Sequence, residues 1–306
     1  VTDWGGQHST DFAANNGGGV EMHWGQGIVY NYYAMSNRFP LAQAVLSGKV
    51  PAATVDEMAL RTLYVMAKTG FLTGAKRKAG ERNTRKHQRI AREEAKIMYG
   101  EGVDAVLVED YLNSTALDCE AVLRMLQEEM PDRLYGVNVL GDFTTSYALA
   151  LEYGAAFMQV DSIAGHLLPE NERAYADEVA VNRLKGDLCV LGGVRFKYQS
   201  VRSGRSLAED LAIGRSLCEA IVVTGDGTGL ETDMGKIREF RSILGDYPLV
   251  VGAGMTAANC VEQLSVADGG IVGTYFKEDG WAHNPMDPKR VARFMKAVTG
   301  IRAKSA

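Results

Sequence analysis

The chain has 306 residues, with 33 Lys and Arg against 38 Asp and Glu and a formal net charge of −5. At 46% hydrophobic and 23% charged residues it has the makeup of a globular protein, long enough for one large domain or two ordinary ones, and its acidic balance excludes a general nucleic-acid binder. No apolar run approaches the roughly 18 residues of a membrane span, and Cys119, Cys189, Cys218 and Cys260 are scattered without a CxxC pair, which excludes a sequence-readable zinc knuckle and favours the cytoplasm.

In chain order, Gly19-Val20-Glu21-Met22-His23-Trp24 is a short strand candidate. Helical periodicity follows in LAQAVLSGK (41–49) and, after Pro51, in VDEMALRTLYVMAKTGF (55–71). Residues 76–92 are basic but carry no interleaved aromatics, so they read as a solvated linker and helix face. A boundary is expected there, with one segment at 1–92 and a second at 93–306. Beyond it, short β-branched apolar runs recur at 103–110, 134–141, 155–162, 188–196, 220–225, 248–254 and 269–276. Helix-period segments lie between them at 116–130, 146–154, 207–220, 234–245 and 257–265. Strands apolar on both faces, alternating with amphipathic helices, predict a parallel sheet with crossover helices. Seven strands at this spacing predict a (β/α)8 TIM-type barrel, with residues 20–24 supplying the eighth strand. An open doubly wound sheet is disfavoured because no Gly-rich dinucleotide fingerprint follows the first strand.

Polar residues end almost every predicted strand, which is where barrel enzymes build their sites. Glu109, Asp142 and Asp161 are the candidate catalytic carboxylates, and Lys197 is the candidate cation, serving as electrophile, Schiff-base amine or charge partner. Asn138 ends the second strand of the set. The last two βα units, VVGAGMTAANC and ADGGIVGTYFK, read as a phosphate cradle. Gly252, Gly254, Gly273 and Thr274 would bring backbone N–H groups to an anion, and Thr256 or Ala257 would open a helix behind it. Thr224, Gly225 and Thr228 form a further Gly-rich loop suited to a sugar hydroxyl or phosphate, and Lys277 follows the last strand. Only His23 and His166 among the histidines fall near strand ends. No HxH or HExxH occurs, so a histidine-based zinc site is disfavoured; no cofactor is expected, while the carboxylates leave a divalent metal open. The expected partner is a small phosphorylated or sugar-like molecule, with neither nucleic acid nor membrane, and a homo-oligomer is compatible.

The blocks GVDAVLVED, YGVNVLGDFTTSYALALEYGAAFMQVD, VRFKYQS, VVTGDGTG, LVVGAGMTAANCVEQLSVADGGIVGTYFK and DGWAHNPMDPKRVARFM resemble, in that order, the BtpA family with its SgcQ-type members. The resemblance spans about 93–300. It implies a (β/α)8 barrel with a phosphate-type loop pair, and an association with either carbohydrate operons or photosystem I biogenesis. By position it carries over Glu109, Asn138, Asp142, Lys197, Thr224, Gly225, Thr228, Gly229 and Lys277. Asp110 stands where Asn is more usual, and Gly192-Gly193 where an acidic residue commonly precedes the lysine. Residues 1 to about 95 resemble the end of the catalytic barrel of glycoside hydrolase family 3. Thr2-Asp3-Trp4-Gly5 is similar to its nucleophile motif, which implies Asp3 as nucleophile with Glu21 or Glu109 as partner. The whole reads as a mosaic with three functional readings: an enzyme of sugar or sugar-phosphate chemistry, a glycosidase, and a non-catalytic assembly factor.

Overall fold

A computed structural model describes residues 40–68, 85–110 and 115–305. The chain divides into two compact units between Gly80 and Glu81. In the first, α1 (Pro40–Leu46) and α2 (Ala52–Lys68) are the two helices the periodicity predicts. Gly48 turns the chain between them at φ +73°. The amides of Gly48, Lys49 and Val50 return to the carbonyls of Val45 and Ala44, closing the end of α1 before Pro51 starts the next helix. Ala44, Val50 and Met58 form a small core of their own. The strand expected at 19–24, together with Asp3, Glu21 and His23, lies outside the described residues.

The second unit opens with α3 (Arg85–Gly100). The expected boundary at 92/93 therefore falls inside a helix. Ala95 and Tyr99 of α3 are buried in the main core, which joins the helix to the second unit. Seven strands follow: β1 (Ala105–Glu109), β2 (Leu134–Asn138), β3 (Phe157–Ala164), β4 (Cys189–Val194), β5 (Ala220–Val223), β6 (Leu249–Val251) and β7 (Gly269–Gly270). Each pairs in parallel with its sequence neighbours, in the unbroken order β1 to β7. A doubly wound sheet reverses its strand order partway, whereas a (β/α)8 barrel runs in sequence around the ring. The fold is thus α/β of the (β/α)8 type, with seven strands among the described residues.

The crossovers are α4 (Ala116–Glu129), α5 (Phe143–Glu152), α6 (Pro169–Arg183), α7 (Leu207–Leu217), α8 (Met234–Leu244) and α9 (Cys260–Leu264), and α10 (Pro288–Ser305) closes the chain. The sequence reading passed over α6. Its signal is Pro169 at the first helical position with Glu170 and Glu172 in the first turn. Strand β7 is far shorter than its apolar run. After Ile271 the chain turns into a 3-10 segment, which sends Phe276 into the core against Phe294 at 5.4 Å between ring centroids. The sheet itself is dry: Val137, Met158, Val190, Ile221, Val222, Val223, Leu249 and Val251 are fully buried, as expected for parallel strands covered on both faces.

Two glycines allow close approaches at the carboxyl ends. A Cβ on Gly193 would stand 1.9 Å from the Asp161 carbonyl, so Gly193 lets β4 press against β3 just where their register shifts. This gives the glycine pair before Lys197 a packing reason. Gly254, at φ +65°, would put a Cβ 2.1 Å from the Leu230 carbonyl.

Candidate active site

Four of the expected residues gather at the carboxyl ends of neighbouring strands. Glu109 ends β1 and Asn138 ends β2, directly paired in the ladder; Asp161 lies within β3, and Lys197 follows β4. Asn138 is buried, and its Nδ2 donates to Glu109 Oε1 at 2.8 Å and to Asp161 Oδ1 at 3.0 Å. Gln159 Nε2 adds a bond to Asp161 Oδ1 at 3.2 Å. Gln159 went unnoticed in the sequence, although a lone amide in the apolar strand AAFMQVDS was its signal. One amide thus holds two carboxyl groups side by side.

The electrostatics follow from this crowding. Protein encloses Glu109 on most sides while its side chain keeps an open face to solvent. Burial pushes its carboxyl up to about 7; the Asp161 charge adds to the rise, while Lys197 and the Asn138 hydrogen bond oppose it. Burial also raises Asp161, against its hydrogen bonds from Asn138 and Gln159 and the charge of Lys197. A carboxyl group balanced near neutrality beside one better supplied with donors is the arrangement general acid–base chemistry needs.

Lys197 is held by its backbone. Its N–H donates to Thr224 Oγ1 at 2.8 Å; Thr224 is fully buried, and its carbonyl accepts from Lys236 Nζ at 2.7 Å. On either side of Lys197 a non-glycine residue takes a left-handed conformation, Arg195 at φ 49° and Tyr198 at φ 62°. Such conformations cost of order 1–3 kcal/mol each and persist only when their surroundings enforce them. Arg195 Nε is tied to the fully buried Asp210 at 2.8 Å, and the Tyr198 hydroxyl accepts from the Thr228 amide at 2.7 Å. The Lys197 ammonium lies 5.4 Å from the centroid of the buried Phe196 ring. Among the described residues it forms no ion pair within 4.0 Å. Simple neutralisation of a neighbouring carboxylate is therefore not its arrangement here.

Other expected residues have different partners. Asp142 is exposed and caps α5, accepting from Thr145 N at 2.8 Å and Thr145 Oγ1 at 2.6 Å. Capping satisfies an otherwise orphaned helical amide, and among the described residues Asp142 makes no hydrogen bond to Glu109, Asn138 or Asp161. Lys277 is clamped by Glu94 of α3 through both carboxylate oxygens, at 2.7 and 2.9 Å, so its charge is already met. The cradle glycines Gly225, Gly252 and Gly254 face neighbouring chain atoms within 2.7 Å of an added Cβ. They serve loop packing, with the segment 225–231 folded against the turn after β6. The helix expected to open at Thr256 or Ala257 begins instead at Cys260 and runs five residues. The Thr256 N–H is taken by Asn259 Oδ1 at 2.7 Å, and Gly252 N–H by the Val223 carbonyl at 2.8 Å. Gly273, beside Thr274, is the cradle glycine at which a side chain would meet open space. Asp110 bridges β1 to the turn after β2 by accepting from Leu140 N at 2.6 Å.

Among the described residues no group of three or more His, Cys, Asp or Glu side chains is arranged to hold a metal ion. A separate cavity of about 210 Å³ lies over the end of β3 between α6 and α7, lined mainly by Ile163, Leu167, Tyr175, Ile213 and Leu217. His166 borders it edge-on to Tyr175. Burial brings its imidazole down to about 4, and its Nδ1 has no partner among the described residues. No helix among those residues is long and apolar enough to cross a membrane.

Sequential parallel strands and a charged rim define an α/β barrel of the (β/α)8 type. The chain belongs to the BtpA family, whose model matches residues 85–300. It is 29% identical to the sgc region protein SgcQ of Escherichia coli, over 66% of this chain and 80% of that protein. It is 26% identical to the photosystem I biogenesis protein BtpA of Synechocystis, over 70% of this chain and 80% of that protein. Among solved structures, a cube-shaped, highly porous protein cage designed by fusing symmetric oligomeric domains matches with a TM-score of 0.51 at 14% identity, over 71% of this chain and 70% of that one.

Proposed function

We propose that this barrel is an enzyme acting on a small phosphorylated or sugar-like molecule, with Glu109, Asn138, Asp161 and Lys197 as its reacting centre. The convergence of these four groups carries the reading. A buried amide joins two carboxyl groups, one of them pushed up to about 7, and the charge of a lysine that has no ion pair within 4.0 Å among the described residues acts on both. A purely structural rim has no reason to assemble that combination, since each buried carboxyl costs stability. Glu109 acts as the proton donor and acceptor, Asp161 as the neighbouring carboxyl group held by the same amide, and Lys197 as the positive charge or nucleophile. Gly273 and Thr274, where the loop is open, take the anionic end of the ligand, and Thr228 borders the mouth from the adjoining loop.

The experiment is thermal unfolding against inorganic phosphate, sugar phosphates and unphosphorylated glycosides. A ligand at 100 times its dissociation constant adds about 2.7 kcal/mol. Stabilisation by phosphorylated compounds, lost in Thr274→Ala, supports the reading. The absence of any shift from sugars or phosphates in a cooperatively folding protein refutes it. That result would favour the second reading, a non-catalytic assembly factor, for which the name of the Synechocystis relative speaks.

A further inference from the structure

We propose that Lys197 is an imine-forming nucleophile, so that the ligand of this mouth presents an aldehyde or ketone carbon to it. The inference rests on the enzyme reading above and narrows its substrate class. Three geometric observations carry it.

The first is the way the charges are shared out. Two carboxyl groups lie near Lys197, yet both are bonded to Asn138, and Asp161 also to Gln159. The amine forms no ion pair within 4.0 Å among the described residues, whereas Lys277 is fully engaged by Glu94. A lysine kept only for charge balance would close on the nearest carboxylate. The second is preorganisation. Residues 195–198 carry two left-handed non-glycine conformations, and the segment is fixed by Asp210 and by Thr224 and Thr228 from two separate stretches of chain. Strain of this kind is maintained where a side chain must be aimed. The third is the surroundings: Nζ stands over the face of Phe196, a buried ring that shields one side of the amine from water.

Glu109 supplies the proton traffic that imine formation requires. Because no carboxylate oxygen of the described residues lies within 4.0 Å of Nζ, the Lys197 ammonium passes its proton to the Glu109 carboxylate through one intervening water, and the freed Nζ lone pair attacks the carbonyl carbon. The carbonyl π pair moves to oxygen, which takes a second proton from nitrogen, giving a carbinolamine. Glu109 then returns its proton to the hydroxyl, which departs as water while the nitrogen lone pair forms the C=N bond. The balance is one ammonium and one carbonyl giving one protonated imine and one water, with Glu109 restored and no oxidant or reductant consumed.

The test is reductive trapping. The full chain is incubated with glyoxylate, pyruvate or glyceraldehyde 3-phosphate and sodium cyanoborohydride, whose hydride reduces any imine to a stable secondary amine, and the modified lysine is located by peptide mass spectrometry. We expect at least one probe to label Lys197 tenfold or more faster than the exposed Lys96, Lys289 and Lys296. We expect Lys197→Arg to abolish that labelling, and Glu109→Gln to slow it at least tenfold while Lys197 remains present. Labelling spread evenly over the lysines, or no adduct at Lys197 with any of the three probes, overturns the proposal. Thermal shifts by phosphate and sugar phosphates, run in parallel on the same variants, separate the two failures. Shifts without trapping refute the nucleophile alone, and neither shifts nor trapping refutes the enzyme reading as well.

Discussion

Replacing Glu109 by Gln should make the protein more stable, by a margin that grows between pH 4.5 and 7 and is complete above neutral pH. In the folded chain burial and the Asp161 charge hold this carboxyl up to about 7, against an ordinary value of 4.5. The folded state therefore binds the proton more tightly than the unfolded state does. Its contribution is fully favourable below pH 4.5 and is lost as pH rises through 7, where the carboxylate must be charged in a crowded site. The difference corresponds to roughly 3 kcal/mol for a fully enclosed group. Glu109 keeps an open face at the mouth, so solvent screening reduces this to about 1–2 kcal/mol. Glutamine retains the acceptor for Asn138 Nδ2 and removes the charge. Urea unfolding of both proteins between pH 4 and 8.5 should show stabilities that coincide at the acid end, separate between about pH 4.5 and 7, and stay a constant distance apart above that, with the variant ahead. A variant equally destabilised at every pH would mean that the carboxylate is a structural partner, and the reasoning behind the site would fall.

Asp142→Ala should cost about 1 kcal/mol, the usual worth of a helix cap, while leaving the titration of Glu109 by NMR unchanged; a shifted titration would return Asp142 to the site. His166 is held down to about 4 against 6.5 when unfolded, so the unfolded state gains protons first as pH falls. Stability is complete above pH 6.5 and declines by up to roughly 3 kcal/mol toward pH 4; His166→Phe should flatten that part of the denaturation profile. Gly254→Ala forces a Cβ onto the Leu230 carbonyl in a left-handed conformation and should cost about 2 kcal/mol or more, read as a lowered midpoint in urea. Asp210→Ala leaves the Arg195 guanidinium with only the Arg205 carbonyl as its partner and should lose about 3–5 kcal/mol. A milder Asp210→Asn, which keeps the shape, should recover part of it in the same assay.

The sequence by itself determined the repeat. Apolar runs such as AIVV and LVV are short and lack polar alternation, so they had to be strands covered on both faces, and the helices between them left a sequential parallel sheet as their natural arrangement. It also marked Glu109, Asn138, Asp161 and Lys197, because a polar residue at the end of a buried strand stands out locally. What those residues do was decided by tertiary structure. Asp142 and Asp161 look alike in sequence, yet one faces its own helix and caps it while the other faces the barrel interior beside Asn138. The glycines at 252 and 254 suggested an anion cradle, but the space beside them is filled by Val222, Thr224 and Leu230, which lie elsewhere in the chain. Lys277 and Lys197 follow strands in the same way, and only packing brings Glu94, 183 residues away, to the first while leaving the second without an ion pair among the described residues. Local pattern fixes which element a residue belongs to, because periodicity reports burial. Partners, charge state and strain arise from contacts between distant strands, and those exist only once the barrel has formed.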